Sequence, residues 1–383
     1  MKKVRYGLLA MVVLLSACAP QFGQAPEETI IDENQDDMQQ ETAIIPKYQL
    51  DEENYRVLID SNLSQARGVI TNQIANRVDI DELEEGLRRH SKEVYDPDSY
   101  FFQEGQYLTE DILYSWLERY DEQSDPLGLN PEISDSGDAV ENEQANPKYL
   151  SHILEQNYLT KSEDDVMQLS GLSIGIAMKS VYRFQTEIGG PYYYENISQE
   201  EMMREANELA DVIVQRIRET EGLENVPIMM AIYREASQSS LVPGSFVAKT
   251  NIAGDSSSVG DWKEVDEEHV LFTASAGENT YPETWATIVD FEADISSYFP
   301  NYVSVIGEGF FREGQLYNLT IDIPVSFYGK AELIGFTQYV YGLVVSAFPN
   351  DYNLEINITS GEQVEALIVR EAGADEGFVH IYH

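Results

Sequence analysis

NLTIDIPVSFYGKAELIGFTQYVYGLVVSAFPNDYNLEINIT, residues 318–359, decides the fold class. Leu319, Ile321, Ile323, Val325 and Phe327 alternate with Asn318, Thr320, Asp322, Pro324 and Ser326. A period of two puts the apolar set on one face of a strand and leaves the other face wet. Pro324 has no N–H for a sheet ladder, which predicts an edge position. A helix follows, with Leu333, Phe336, Val340, Leu343 and Ala347 on one face and Pro349 as its stop. Tyr352, Leu354, Ile356 and Ile358 then alternate with Asn353, Glu355, Asn357 and Thr359 in a returning strand.

The same order recurs upstream, in residues 171–235. Leu172, Ile174, Ile176 and Met178 alternate with small or polar residues. Ser198 and Glu201 form a capping-box pair. Met203, Ala206, Ala210, Ile213 and Ile217 line one helix face, Gly222 suits the stop, and Val226, Ile228, Met230 and Ile232 return as a strand. Residues 183–197 are an insertion in this first unit. Further strand candidates are Ser245–Ile252 in the first unit, and Tyr302–Ile306, Val364–Arg370 and Phe378–Tyr382 in the second. The predicted fold class is α+β, with two tandem repeats at 151–258 and 259–383. Each lays a packed helix on a mostly antiparallel sheet. A mainly helical N-terminal region, 46–150, precedes them. Its helices are marked by Ile80, Leu83 and Leu87, and by Ile112, Trp116, Leu117 and Tyr120 after the N-cap Thr109. Residues 121–147, with three prolines and many acids, read as an exposed acidic linker.

The first 45 residues concern location. Lys2, Lys3 and Arg5 precede an apolar run, Tyr6 to Ala17, that is shorter than the ~20 residues a membrane helix needs. Leu15-Ser16-Ala17-Cys18 closes it, and Cys18 is the only cysteine. Residues 1–17 therefore read as a lipoprotein signal peptide, cleaved between Ala17 and Cys18, with the Cys18 thiol carrying lipid. The competing reading is an ordinary signal peptide that happens to end in Cys. Two or three acyl chains of the palmitate kind anchor stably where one alone binds marginally. The expected location is the extracellular face of the cell membrane. Residues 18–45 are rich in Gln, Glu, Asp, Pro and Thr and read as an acidic disordered tether.

The chain carries 68 acids against 24 bases, for a net charge of −44. That excludes nucleic acid as a partner, because phosphate backbones are held by basic patches. A hydrophobic fraction of 43% excludes a disordered acidic chain and leaves the acids as a solvated surface.

Three stretches carry a family resemblance: Ser64-Gln65-Ala66-Arg67-Gly68, NRVDIDELEEGLRRHSKEVYDPDSYFFQEGQYL (Asn76–Leu108) and GLSIGIAMKSVYRFQTEIGGPYYY (Gly171–Tyr194). Together with the lipobox they resemble the CamS sex-pheromone lipoproteins of Gram-positive bacteria. The resemblance implies a membrane-anchored extracellular protein built from two CamS-type repeats. It also implies that Met11-Val12-Val13-Leu14-Leu15-Ser16-Ala17 stands where some members release a pheromone peptide. This stretch keeps the apolar character but not the pheromone's sequence.

Chemistry-bearing motifs are few. Gly171-Leu172-Ser173-Ile174-Gly175 matches G-x-S-x-G, but the alternation runs straight through Ser173, where a nucleophile elbow needs a sharp turn. Ser173 therefore reads as a mid-strand serine, with glycines that let something pack closely. His90, His152, His269, His380 and His383 form no zinc spacing, and Asp135 to Glu143 lacks the order of a calcium loop. No metal or cofactor is expected. Arg183 and the triplet Tyr192-Tyr193-Tyr194, on the turn Gly189-Gly190-Pro191, are the candidate ligand-binding residues. Three consecutive rings cannot share one buried face, and exposed tyrosines suit sugars or peptides. The other reading packs them over a sheet edge. Phe101, Phe102, Tyr107 and Trp262 are further groove candidates. The expected function is noncatalytic binding of a cell-wall glycan, peptide or protein ligand. The alternative is an extracellular hydrolase acting on wall polymers through a carboxylate pair.

Overall fold

A computed structural model describes residues 27–32, 40–46, 50, 54–60, 64–66, 68–133, 137–163, 166–299, 302, 304–327 and 329–383. In chain order the elements are β1 (Glu27–Asp32), β2 (Gln40–Ile45), β3 (Arg56–Val57), β4 (Ile59–Asp60), α1 (Val69–Gln73), α2 (Arg77–Ser91), β5 (Phe101–Glu104) and α3 (Glu110–Leu117). Then come α4 (Ala139–Ala145), β6 (Leu150–Lys161), β7 (Val166–Met178), β8 (Val181–Phe184), β9 (Tyr193–Asn196), α5 (Gln199–Arg218), β10 (Ile228–Arg234), β11 (Ser245–Ile252) and β12 (Lys263–Glu264). The last third holds β13 (Glu267–Phe272), α6 (Pro282–Tyr298), β14 (Ile306–Arg312), β15 (Gln315–Pro324), α7 (Lys330–Ala347), β16 (Asn353–Ser360), β17 (Gln363–Arg370) and β18 (Phe378–Ile381).

The C-terminal sheet runs β13-β14-β15-β16-β17-β18. Its apolar face, including Ile321, Ile323, Leu354, Ile356 and Ile368, packs on α6 through Ile288, Phe291 and Ile295 and on α7 through Leu333, Phe336 and Val340. The alternation predicted for 318–359 is present, with two differences. β15 and β16 are parallel, because a strand–helix–strand crossover returns in the same direction. β15 is also interior, between β14 and β16, and Pro324 is its last residue. The missing N–H costs nothing there, since the ladder passes to Val325, whose N–H reaches Thr359 O at 2.8 Å. Two helices lie on this sheet, not one.

The N-terminal sheet contains β12-β11-β10-β7 and, beyond β7, β6, β5 and β3. Again the pair joined by a helix, β7 and β10 through α5, is parallel. Ser198 Oγ caps α5 at Glu201 N, and Thr109 Oγ1 caps α3 at Ile112 N, as their spacing predicts. One face of this sheet presents Leu172, Ile174, Ile176 and Ile228 to α5 and to Leu113, Trp116 and Leu117 of α3. The opposite face, with Ala177, Met229, Ala231 and Tyr233, takes Ile80, Leu83 and Leu87 of α2.

The order β5-α3-β6-β7-α5-β10-β11-β12 thus recurs as β13-α6-β14-β15-α7-β16-β17-β18. The duplication is real, but its first copy starts at Phe101 and not at 151. The strands Phe101–Glu104 and Leu150–Lys161 pair across the expected boundary. The N-terminal helices α1 and α2 are a cover for the second face of the first sheet. Within the stretch read as tether, Glu27–Asp32 and Gln40–Ile45 form an antiparallel hairpin, and Ile30 and Ile31 pair in parallel with Val166 and Met167. The stretch read as linker is also held. Asn130 is buried against Leu117 O and Leu150 O, and Glu143 of α4 pairs with Arg119 at 2.6 Å.

The covering helix α2 ties the two repeats together through charge. Arg89 of α2 bridges Glu82 at 2.6 Å and Glu267 of β13 at 2.9 Å. His269 lies between Glu82 at 3.5 Å and Glu308 at 3.2 Å. Lys249 approaches His90 Nδ1 at 3.1 Å and Glu93 at 2.6 Å. That ammonium fills one nitrogen of His90, so the other, Nε2, donates to Glu267 at 3.1 Å.

Candidate functional site

A recess of about 290 Å³ opens where β5 ends at Glu104 and β6 continues. The step is created by Gly105. A Cβ there would lie 2.7 Å from Glu155 Cβ and 2.8 Å from Glu155 O, so only glycine brings the chain this close to β6. The carboxylate of Glu155 then accepts from Gln106 N at 2.8 Å, Tyr107 N at 3.1 Å and Leu108 N at 2.6 Å. These bonds turn the chain away from the sheet and lead it to the Thr109 cap. Burial pushes the Glu155 carboxyl up from its ordinary value, and the three backbone donors oppose that rise.

Ile70, Phe102, Leu108, Leu113, Ile153 and Leu154 give the recess an apolar wall. Its polar lining comes from Ser64, Glu84, Arg88, Glu104, His152, Glu155 and Gln156. His152 is 2% exposed, and among the described residues its buried Nδ1 has no hydrogen-bond partner. Burial pushes its pKa down to about 3, so the ring is neutral at physiological pH. Gln156 is fixed, donating to Glu84 O at 2.8 Å and accepting from Tyr158 at 3.0 Å. Arg88 pairs with Glu85 at 2.8 Å and lies 5.0 Å from the Phe102 ring centre. Burial raises the Glu84 carboxyl; the positive charge of Arg88 is the largest charge effect on it and opposes the rise, and Asp81, Glu104 and Glu85 each add a smaller push upward.

The residues singled out in the sequence lie elsewhere. Arg183 sits 3.4 Å over the Tyr192 ring, a cation–π contact, and donates to Gln238 at 2.6 Å. Tyr193 stacks on Phe184, which stacks on Tyr182, at 5.5 and 5.2 Å. Tyr192 is 50% and Tyr194 57% exposed. One ring of the triplet therefore packs and two face water. The groove of Phe101, Phe102, Tyr107 and Trp262 does not form. Phe102 lines the recess, Phe101 joins Leu58, Leu159 and Met167, and Trp262 bonds Asn207 across α5. Ser173 is buried in mid-strand, 2.8 Å from Ser91 Oγ. Among the described residues there is no group of three or more His, Cys, Asp or Glu suited to a metal ion. Ala17, Cys18 and the Met11–Ala17 stretch lie outside the described residues, as do Asp135 and Ser136 of the acidic loop. The recess itself had one signal in the sequence: His152, Glu155 and Gln156 interrupt the apolar run of β6.

Two of the stretches that carry the family resemblance build this recess. Ser64, Ala66 and Gly68 come from the first; Glu84, Arg88, Phe102, Glu104, Gly105 and Leu108 come from the second. The family model described as the CamS sex pheromone cAM373 precursor matches residues 62–376. The chain belongs to that family of secreted or surface-associated pheromone precursors. It is similar to the crystal structure of a sex pheromone precursor from Lactobacillus salivarius subsp. salivarius UCC118, at 29% identity and a TM-score of 0.81, covering 88% of this chain and 98% of that one. It is also similar to the C-terminal domain of the sex pheromone staph-cAM373 precursor from Staphylococcus aureus, at 29% identity and a TM-score of 0.70, covering 81% of this chain and 99% of that one. No curated protein matches the chain. Among the described residues no helix is long and apolar enough to cross a membrane.

Proposed function

We propose that this protein is a lipid-anchored extracellular binding protein, noncatalytic, whose recess between β5 and β6 takes a cell-wall fragment, a peptide or a segment of a partner protein. The observation that carries the reading is the recess itself, an apolar wall with a small set of polar groups, beside His152, whose buried Nδ1 has no partner among the described residues. Recesses with an apolar wall and a few polar groups are where small ligands bind, and a buried polar atom left unsatisfied nearby marks a place where the packing is not self-sufficient. Glu155 supports binding over acid–base chemistry, because its oxygens are already taken by three backbone N–H groups. The exposed Tyr192 and Tyr194, with Arg183, are proposed as a second, peripheral contact for glycan or peptide.

The anchor rests on the Leu15–Cys18 pattern. Replacing Cys18 with Ala moves the protein out of the membrane fraction on this reading; continued retention contradicts it. For the recess, the intact lipidated protein in detergent micelles is screened against muropeptides, wall glycans and short peptides. Saturable binding that is lost in Ala66→Trp, which fills the recess from its lip, is the expected outcome. Binding unchanged by that variant removes the recess from the account.

A further inference from the structure

His90 stands in a wall between two further recesses. One, of about 340 Å³, lies between the repeats and is lined by Glu267, Arg312 and Tyr317. The other, of about 350 Å³, lies between the end of α2 and β11 and is lined by Val94, Met229 and Thr250. His90, Glu93, Lys249 and Lys263 line both. Inside that wall the Lys249 ammonium donates to His90 Nδ1 at 3.1 Å and to Glu93 at 2.6 Å. The His90 ring is held edge-on to Phe246, with 5.0 Å between ring centres, and the residue is 1% exposed.

The bond from Lys249 needs a lone pair on Nδ1, which only the neutral imidazole has. A proton from solvent that takes this lone pair turns Nδ1 into a donor and sets two cations 3.1 Å apart, where they repel. The charged groups around the ring are Arg89 and Glu93 from α2 and the turn after it, Lys249 from β11, Lys263 from β12 and Glu267 from β13. Arg312 of β14 reaches Glu267 at 3.3 Å. Glu267, lowered to about 2, stays ionised and is shared by Arg89, His90 and Arg312. Burial acts against the Glu93 carboxylate, but Lys249 and Lys263 hold its pKa below the ordinary value. Glu93 is exposed, so it gives Lys249 a partner nearer to water. Burial lowers the His90 pKa, Lys249 and Arg89 lower it further, and Glu267 opposes them. The closed wall therefore favours the neutral ring. Its contribution is full above the ordinary value of 6.5 and is lost as pH falls through the lowered one.

We propose that His90 and Lys249 form a proton-operated gate, in which a proton taken up at Nδ1 expels the Lys249 ammonium toward Glu93 and solvent and joins the two recesses. The contact of His90 Nε2 with Glu267 survives and strengthens, because an imidazolium N–H then faces a carboxylate. The repeats stay joined while the wall between α2 and β11 opens. Loss of the proton restores the lone pair, and Lys249 returns to it.

The test follows the intact protein in detergent micelles by NMR, with labelled histidine and lysine and a soluble paramagnetic probe, from about pH 7.5 to about pH 5. At the upper end the His90 Nδ1 resonance is that of an unprotonated nitrogen, and the Lys249 signals are shielded from the probe. As His90 titrates, broadening of Lys249 by the probe rises at least about threefold relative to Lys263, the exposed reference, and with the same midpoint. His90→Gln offers Lys249 an amide oxygen and Glu267 an N–H, does not titrate in this range, and keeps Lys249 shielded throughout. Lys249→Met removes the opposing cation and raises the midpoint of His90. Lys249 shielding that is unchanged through the His90 titration overturns the gate, as does exposure of Lys249 at the lower pH in His90→Gln. A His90 ring still neutral at the lower pH overturns it too, because the gate then has no working range. An unchanged His90 midpoint in Lys249→Met also contradicts it, and this variant decides the matter if His90→Gln does not fold.

Discussion

At the scale of single residues, Glu155 is the clearest case of a side chain that organises its surroundings. A carboxylate in a strand is an odd choice until the three N–H groups of Gln106, Tyr107 and Leu108 are counted. Glu155→Ala leaves those donors buried without an acceptor, at a cost of roughly 3 kcal/mol in urea unfolding. Glu155→Gln, which keeps one acceptor oxygen, costs less. The tyrosine triplet separates in the same way. Tyr193→Ala removes a ring stacked on Phe184 and lowers Tm, whereas Tyr192→Ala removes a half-exposed ring and leaves Tm within about 2 °C. The sequence made it plain that three adjacent rings cannot all be buried. Which one packs depends on Phe184 lying beneath it, a contact that no spacing rule contains.

At the scale of elements, alternation and capping were legible and neighbour identity was not. β15, α7 and β16 are where the period of residues 318–359 places them. The same period cannot say that β15 is interior or that it runs parallel to β16, because those facts belong to the chain that pairs with it. Two-residue strands such as Arg56–Val57, and Phe101–Glu104 with its four residues, are too short to show a period at all. That is why the first repeat begins earlier than its hydrophobic pattern suggests. The reading of Gly171 and Gly175 did carry over. A Cβ on Gly171 would lie 2.2 Å from Tyr95 Cε1, and one on Gly175 would lie 3.2 Å from Leu83 and Leu87. Gly171→Ala therefore destabilises by about 1–3 kcal/mol, measured by chemical denaturation. Gly175→Ala, where methyl groups can shift by a few tenths of an ångström, costs less.

At the scale of the whole molecule, an acidic body is held together across its repeats by a small set of cations and histidines. The partners of His269, Glu82 and Glu308, outweigh burial and raise its pKa to about 9. A raised pKa stabilises the folded state fully below the unfolded value of about 6.5, and the contribution is lost as pH rises through 9. Glu267, with burial opposed by His90 and Arg89, is lowered to about 2, so its contribution holds above about 4.5 and is lost as pH falls through 2. Thermal unfolding from pH 7 to 10 therefore shows a fall in Tm of a few degrees that His269→Gln flattens; an unchanged slope in that variant contradicts the assignment. None of this cluster was legible in the chain, because Glu82 and Glu267 are brought together only where α2, packed on the first sheet, meets β13 of the second. Apart from the polar break in β6, the recess was hidden too, since Ser64, Glu84, Gly105 and His152 come from four separate segments. The most direct measurement on the account is calorimetric titration of the intact protein and of its Ala66→Trp variant with a muropeptide and short-peptide panel. A ligand that saturates the native protein at one site and loses at least tenfold in affinity when the gap between β5 and β6 is filled is the predicted result. A ligand that binds both proteins alike contradicts it.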